Sequence, residues 1–103
     1  MQAPCVLPAE LTIYTISELY AQCVGWVHAP VTDGNDVCLS VGADSVAEVD
    51  AAGVQLLLSL SNSLTAQRRH LQLIAPSQAL RAACAALGAG ALTRDADLKE
   101  VNP

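Results

Sequence analysis

Val49-Asp50-Ala51-Ala52-Gly53-Val54-Gln55-Leu56-Leu57-Leu58 is the stretch from which the fold can be read. Aspartate is a strong N-cap residue, because its carboxylate accepts from backbone N–H groups that the first helical turn leaves unpaired. Asp50 therefore predicts a helix start, with helix over about 52–67. Val54, Leu57, Leu58, Ser61 and Leu64 form one stripe at helical spacing, and Leu56 and Leu60 widen it. A stripe that wide belongs to a helix well buried against a sheet. The segment before it, 46–49, either rejoins the sheet edge or packs under a loop.

Downstream, 71–75 reads as an apolar strand that Pro76 ends. Ser77 caps another helix, with Leu80, Ala83, Cys84 and Leu87 as its buried face. Gly88 and Gly90 stop it. From Thr93 the chain is polar and reads as a tail. Upstream, Val37, Leu39 and Val41 alternate with Cys38 and Ser40, which predicts a strand over 37–41. A loop, 42–45, follows it. The stretch 32–36 is turn-rich, and Pro30 precedes it. Ser17 with Glu18 predicts a helix start, and Leu19, Cys23, Val24 and Val27 carry that helix over about 17–27. Segments 5–7 and 11–16 read as two strands, joined in a hairpin around Pro8-Ala9-Glu10.

The order is strand, strand, helix, strand, helix, strand, helix. Strand–helix–strand units demand a largely parallel sheet, entered here through one antiparallel hairpin. The expected fold is α/β: a four-stranded mixed sheet with three to four helices, packed mainly on one face and at the ends. The expected domain is 1–92, with a tail over 93–103.

Composition narrows the function. With 103 residues there is room for one domain, and 52% apolar residues suffice for a core. Because Phe is absent and Trp occurs once, aliphatic side chains must fill it. The net charge of −5 repels phosphate backbones, and only Arg68 and Arg69 are adjacent bases. Nucleic acid and anionic membrane surfaces are thereby disfavoured as partners. Cys5, Cys23, Cys38 and Cys84 form no CxxC pair and no zinc spacing. They read as reduced core thiols, Cys23, Cys38 and Cys84 lying among apolar residues, which suits a cytoplasmic protein. Residues 1–7 lack the pattern of a signal peptide, and the strongest apolar run, 54–58, is too short to span a bilayer.

The residues now in place resemble the STAS domain, the fold of bacterial anti-sigma factor antagonists. The resemblance covers about residues 5–92. Its most specific part is the opening stretch at 49–58, which is similar to the family's loop and helix start, usually Asp-Ser/Thr-Ser/Ala-Gly followed by apolar residues. Leu71-Gln72-Leu73-Ile74-Ala75-Pro76-Ser77 resembles the last core strand and its turn. Leu80 with Leu87-Gly88 resembles the closing helix, and Glu10-Leu11-Thr12 stands where the family often has Glu-Leu-Asp. Leu-Thr-Ile-Tyr-Thr and Ala-Gly-Val-Gln-Leu-Leu-Leu-Ser-Leu are similar to two groups: single-domain STAS proteins of chemotaxis operons, and the small subunit of phospholipid-transport ABC systems.

The resemblance implies a function and a departure from it. In the resembling antagonists, a Ser or Thr directly after the Asp is phosphorylated by the partner kinase, and the added charge releases the partner. Here that position is Ala51, which has no hydroxyl, and Ala52 offers no substitute. Ser45 is near but outside the motif. Thr12 stands where many phosphorylated members carry an acid. The expectation is a non-catalytic module docking a protein partner through 43–57, with Asp44, Ser45, Asp50, Ala51, Ala52, Gly53 and Gln55 at the contact. The implied partners are an anti-sigma or chemotaxis-type kinase, or the ATPase of a lipid-transport complex to which the chain is an accessory subunit. A homodimer is compatible with the same reading. For Asp50 the plainer role is helix capping, and for Gly53 either a close backbone approach or mere tolerance in a first turn.

Other chemistry finds no motif. No base is near Cys5 or Cys38 in sequence, and His28 and His70 read as helix-end residues. Asp33-Gly34-Asn35-Asp36 lacks the length and terminal Glu of a calcium loop. Gly88-Ala89-Gly90 lacks the Lys-Ser/Thr of a phosphate loop. No cofactor or metal is expected. Trp26, Tyr14 and Tyr20 are the only aromatics, and Trp26 either anchors a partner or packs at the core rim.

Overall fold

The computed structural model of the chain describes residues 5–28 and 38–93. Its elements are β1 (Cys5–Val6), β2 (Glu10–Leu11), α1 (Ile16–His28), β3 (Cys38–Gly42), β4 (Glu48–Val49), α2 (Ala51–Ala66), β5 (His70–Ile74) and α3 (Gln78–Ala86). Another helical turn begins at 91–93. Val37, Pro30 and the 32–36 turn, with Asp33 and Asp36, lie outside the described residues, as does the tail beyond Thr93.

The α/β class holds, but the sheet differs from expectation. Every described strand pair is parallel. β3 is central in a three-stranded sheet of order β1-β3-β5, and β2-β4 form a second, two-stranded sheet. The hairpin does not form, because Pro8 interrupts the ladder without reversing the chain. Leu7 N still donates to Gly42 O at 2.8 Å, whereas Pro8 has no N–H to give. Ala9 O then accepts from both Ala47 N (2.7 Å) and Glu48 N (3.0 Å), and pairing resumes at Glu10 opposite Glu48. The register moves by two residues between the ladders, and the longer 43–47 segment absorbs the shift.

The expected strand over 11–16 is also cut short. Thr12 N donates to Thr15 Oγ1 (3.1 Å) and Thr15 N donates to Thr12 O (2.9 Å), so the chain turns at 12–15. Leu19 N donates to Thr15 O at 3.1 Å, which starts α1 at Ile16. Ser17 is thus inside the first turn, and its predicted capping role falls to the threonine turn before it.

α2 buries Gly53, Val54, Leu56, Leu57, Leu60 and Leu64, whereas Leu58 and Ser61 of the expected stripe are only half-buried, so the face in the core is turned toward Leu56 and Leu60. The buried residues meet the inner face of the sheet, where Val41 pairs with Leu73 and Leu39 with Leu71. Fully buried leucines such as Leu7, Leu11, Leu57 and Leu80 each contribute about 1.5–3 kcal/mol by leaving water. The other face of the sheet presents Val6, Ser40, Gln72 and Ile74, with Val6 and Ile74 exposed. It also presents Cys38, which is exposed rather than a core thiol. Leu87 is not part of the buried face of α3: it is the C-cap, half exposed, before Gly88 at φ +74°. His70 opens β5 instead of closing a helix. Thr93 is buried, its Oγ1 donating to Gly90 O at 3.3 Å, so packing extends at least that far. Trp26 packs half-buried against the core.

Candidate functional site

Because the strands run parallel, α1, α2 and α3 all begin at the same edge of the structure, just past the strand ends. At that edge Asp50, in extended conformation (φ −123°, ψ −175°), caps α2. Its Oδ1 accepts from Gly53 N at 3.1 Å. Its Oδ2 accepts from Ile13 N at 3.0 Å, and Asp50 N donates to Leu11 O at 3.2 Å. One residue therefore caps its own helix and ties the 12–15 turn to the helix entrance. The Ile13 N–H, and after it the Gly53 N–H, hold the Asp50 carboxyl below the usual carboxylate range.

Gly53 is there because the backbone of β2 runs against it. A Cβ at 53 would overlap Leu11 O and come within 2.8 Å of Leu11 Cγ. No L side chain fits that space, so the helix entrance approaches β2 as closely as it does only with glycine.

The predicted site residues divide by exposure. Ala51 and Gln55 are exposed on the first turns of α2, Ala52 is half-buried and Gly53 is buried. Asp44 and Ser45 are exposed in the loop after β3. That loop is fixed through Ala43, whose N donates to Ile74 O (2.9 Å) and whose O accepts from Ser77 N (3.1 Å). Among the described residues, no hydrogen bond joins Asp44 or Ser45 to Asp50. Asp44 and Ser45 therefore share the edge but lie on the α3 side of it.

Sequence reading missed Ile13 and Tyr14. They are 58% and 89% exposed, and the Asp50 bond places them directly beside the α2 entrance. Thr12 supports them: its hydroxyl donates to Glu10 Oε2 (2.6 Å) and accepts from Tyr14 N (3.2 Å). The available signal was two threonines three apart, followed by a helix, which is a turn pattern and not a strand pattern.

Position 51 presents a methyl group to solvent, and the Asp50 carboxylate already occupies a helix-entrance N–H. Among the described residues, no group of three or more His, Cys, Asp or Glu side chains comes together as metal ligands. Elsewhere, Cys23 and His28 share a shallow groove of about 180 Å³ between α1 and α2. Burial, with Cys5 adding to it, pushes the Cys23 thiol up to about 11, which opposes nucleophilic use.

A family model described as Mlab, STAS domain matches residues 6–94, most of the chain. The chain belongs to the STAS domain family. No curated protein and no solved structure matches it. STAS domains are in general non-catalytic and mediate protein–protein interactions, in anti-sigma factor antagonists or related regulatory and binding roles. Within this STAS domain, no described helix is long and apolar enough to cross a membrane.

Proposed function

We propose that this STAS domain is a non-catalytic docking protein whose partner covers the α2 entrance, and that it works there without a phosphorylation switch. The observation that carries this is the exposed methyl of Ala51 on the first turn of α2, at the position that bears a hydroxyl in the phosphorylated antagonists. Asp50, Ala51, Ala52, Gln55 and the neighbouring turn form one surface. Gly53 sets its height against β2. Asp44 and Ser45 extend it toward α3.

Two partner classes fit a cytoplasmic protein of this kind: a kinase of the anti-sigma or chemotaxis type, and the ATPase of a phospholipid-transport ABC complex. The family description, with its reference to Mlab, together with the missing hydroxyl, supports the second as a reading in its own right. A subunit held constantly on an ATPase has no need of a releasing charge.

The test uses the full chain and its Ala51→Ser and Ala51→Asp variants, each incubated with a purified candidate kinase and ATP, and with a candidate ATPase. The expected result is no phosphate on the wild-type loop, phosphate on the Ala51→Ser loop only where the kinase is the partner, binding by the wild type, and at least about a tenfold loss of binding in Ala51→Asp, because a larger side chain whose carboxylate must shed its water replaces a methyl group in the contact. Phosphate on the wild-type 49–58 stretch, or unchanged binding by Ala51→Asp, overturns the reading.

A further inference from the structure

Among the described residues, charge is segregated along the fold. Every described carboxylate side chain lies at the edge where the helices begin: Glu10 and Glu48 on β2 and β4, Glu18 in the first turn of α1, Asp44 after β3, and Asp50. His28 closes α1, Arg68 and Arg69 follow α2, and His70 opens β5, so these bases lie at the opposite edge. Arg81 of α3 is the exception, with its Nε donating to Pro76 O at 3.3 Å.

Helix capping accounts for Asp50 and Glu18, which offset the positive ends of α2 and α1. It does not account for Glu10 and Glu48. These are register partners in the parallel β2–β4 ladder, which sets two like charges side by side. Between the carboxylates of Glu10 and Asp50 stands the turn that carries Ile13 and Tyr14. Thr12 hydrogen-bonds the first carboxylate, and the Ile13 N–H binds the second. The turn is held before any partner arrives, so an aromatic side chain there can enter a pocket at little further entropic cost.

We infer that the partner surface at this edge is cationic, with Arg or Lys side chains flanking an apolar slot that receives Tyr14. This rests on the docking reading above and specifies its chemistry. Tyr14 and Ile13 fill the dry centre of the contact. Glu10, Glu48 and Asp44 form its charged rim and speed encounter with a basic partner.

The test immobilises the full chain and selects binders from a random peptide library displayed on phage. Selected peptides are enriched in Arg or Lys beside an apolar residue. Synthetic copies lose roughly tenfold or more in affinity for Tyr14→Ala, and several-fold for the Glu10→Gln/Glu48→Gln pair or on raising salt. Melting temperatures of the variants confirm that they fold: Tyr14 and Glu48 are exposed, and a Gln at position 10 can still accept from the Thr12 hydroxyl. Selection without basic residues, no selection at all, or indifference to Tyr14→Ala overturns the inference. If those peptides nonetheless lose binding to Ala51→Asp, the docking reading survives the failure. If Ala51→Asp is also without effect, both fall.

Discussion

The carbonyl oxygen of Leu11 occupies the space into which a side chain at Gly53 would project. This contact joins the β2–β4 pair to the entrance of α2, the longest described helix, and it makes the candidate site and the core one piece of structure. Asp50 reinforces it from both sides, through Leu11 O and through Ile13 N.

Gly53→Ala is therefore expected to destabilise the domain by about 3 kcal/mol, because backbone and not a flexible side chain must move. The intrinsic helix preference of Ala over Gly, about 1 kcal/mol, works in the other direction and is too small to prevail. Gly25 in α1 supplies the opposite case: nothing lies within 4 Å of a Cβ there. Gly25→Ala is expected to stabilise by about 0.5–1 kcal/mol. Urea unfolding of both variants checks the pair, and equal signs would refute the close-approach account.

The thiols are expected to react in a ratio of one fast to three slow. Cys38 is exposed on the open face of the sheet, whereas Cys5, Cys23 and Cys84 are buried. Burial raises the latter three thiols, and Cys23, at about 11, is ionised to only about one part in a thousand at pH 8. Iodoacetamide on the native chain at pH 8 should label Cys38 alone within minutes, and all four after denaturation. Mass spectrometry of the digested protein reads the outcome. Rapid native labelling of Cys23 would contradict the packing of α1.

These contrasts show what the sequence makes legible. Helix starts at Asp50 and Ser77 were readable because capping is a contact between residues three apart, and both caps form as expected: Ser77 Oγ accepts from Leu80 N at 3.1 Å. The stripe of α2 was readable for the same reason of local periodicity. Pairing of strands was not. Pro8 looks like the corner of a hairpin, yet the partners of β1 and β2 lie more than thirty residues ahead, and no local pattern announces a parallel register. Leu11, Ile13 and Thr15 alternate like a strand, while the threonine hydroxyls that turn the chain act only in three dimensions. Cys38 alternates correctly, but whether its side of the sheet is covered depends on where the helices go. Within the site, Asp50, Ala51 and Gly53 were legible from one motif. Ile13 and Tyr14 were not, since their link to it spans 37 residues of chain.

Asp50 carries the pH dependence of this link. Its carboxyl is held below its ordinary value by the Ile13 and Gly53 N–H groups, so the folded state binds its proton less readily than the unfolded chain. The sign follows: stability from these bonds is fully present above the unfolded value near 4, and is lost as pH falls through the lower folded value. At pH 7, Asp50→Ala is expected to melt about 5 °C below wild type. Asp50→Asn is expected to melt between them, since its oxygen can still accept from one N–H while its amide cannot accept from the other. Below pH 4 the wild-type advantage over Asp50→Ala should shrink steadily, because protonation removes the charge that both donors face. Thermal melts followed by circular dichroism from pH 7 to pH 2 measure this. A gap that stays constant over the whole range would mean that the side chain acts by its bulk, and that the tie between the Ile13–Tyr14 turn and the α2 entrance does not depend on its charge.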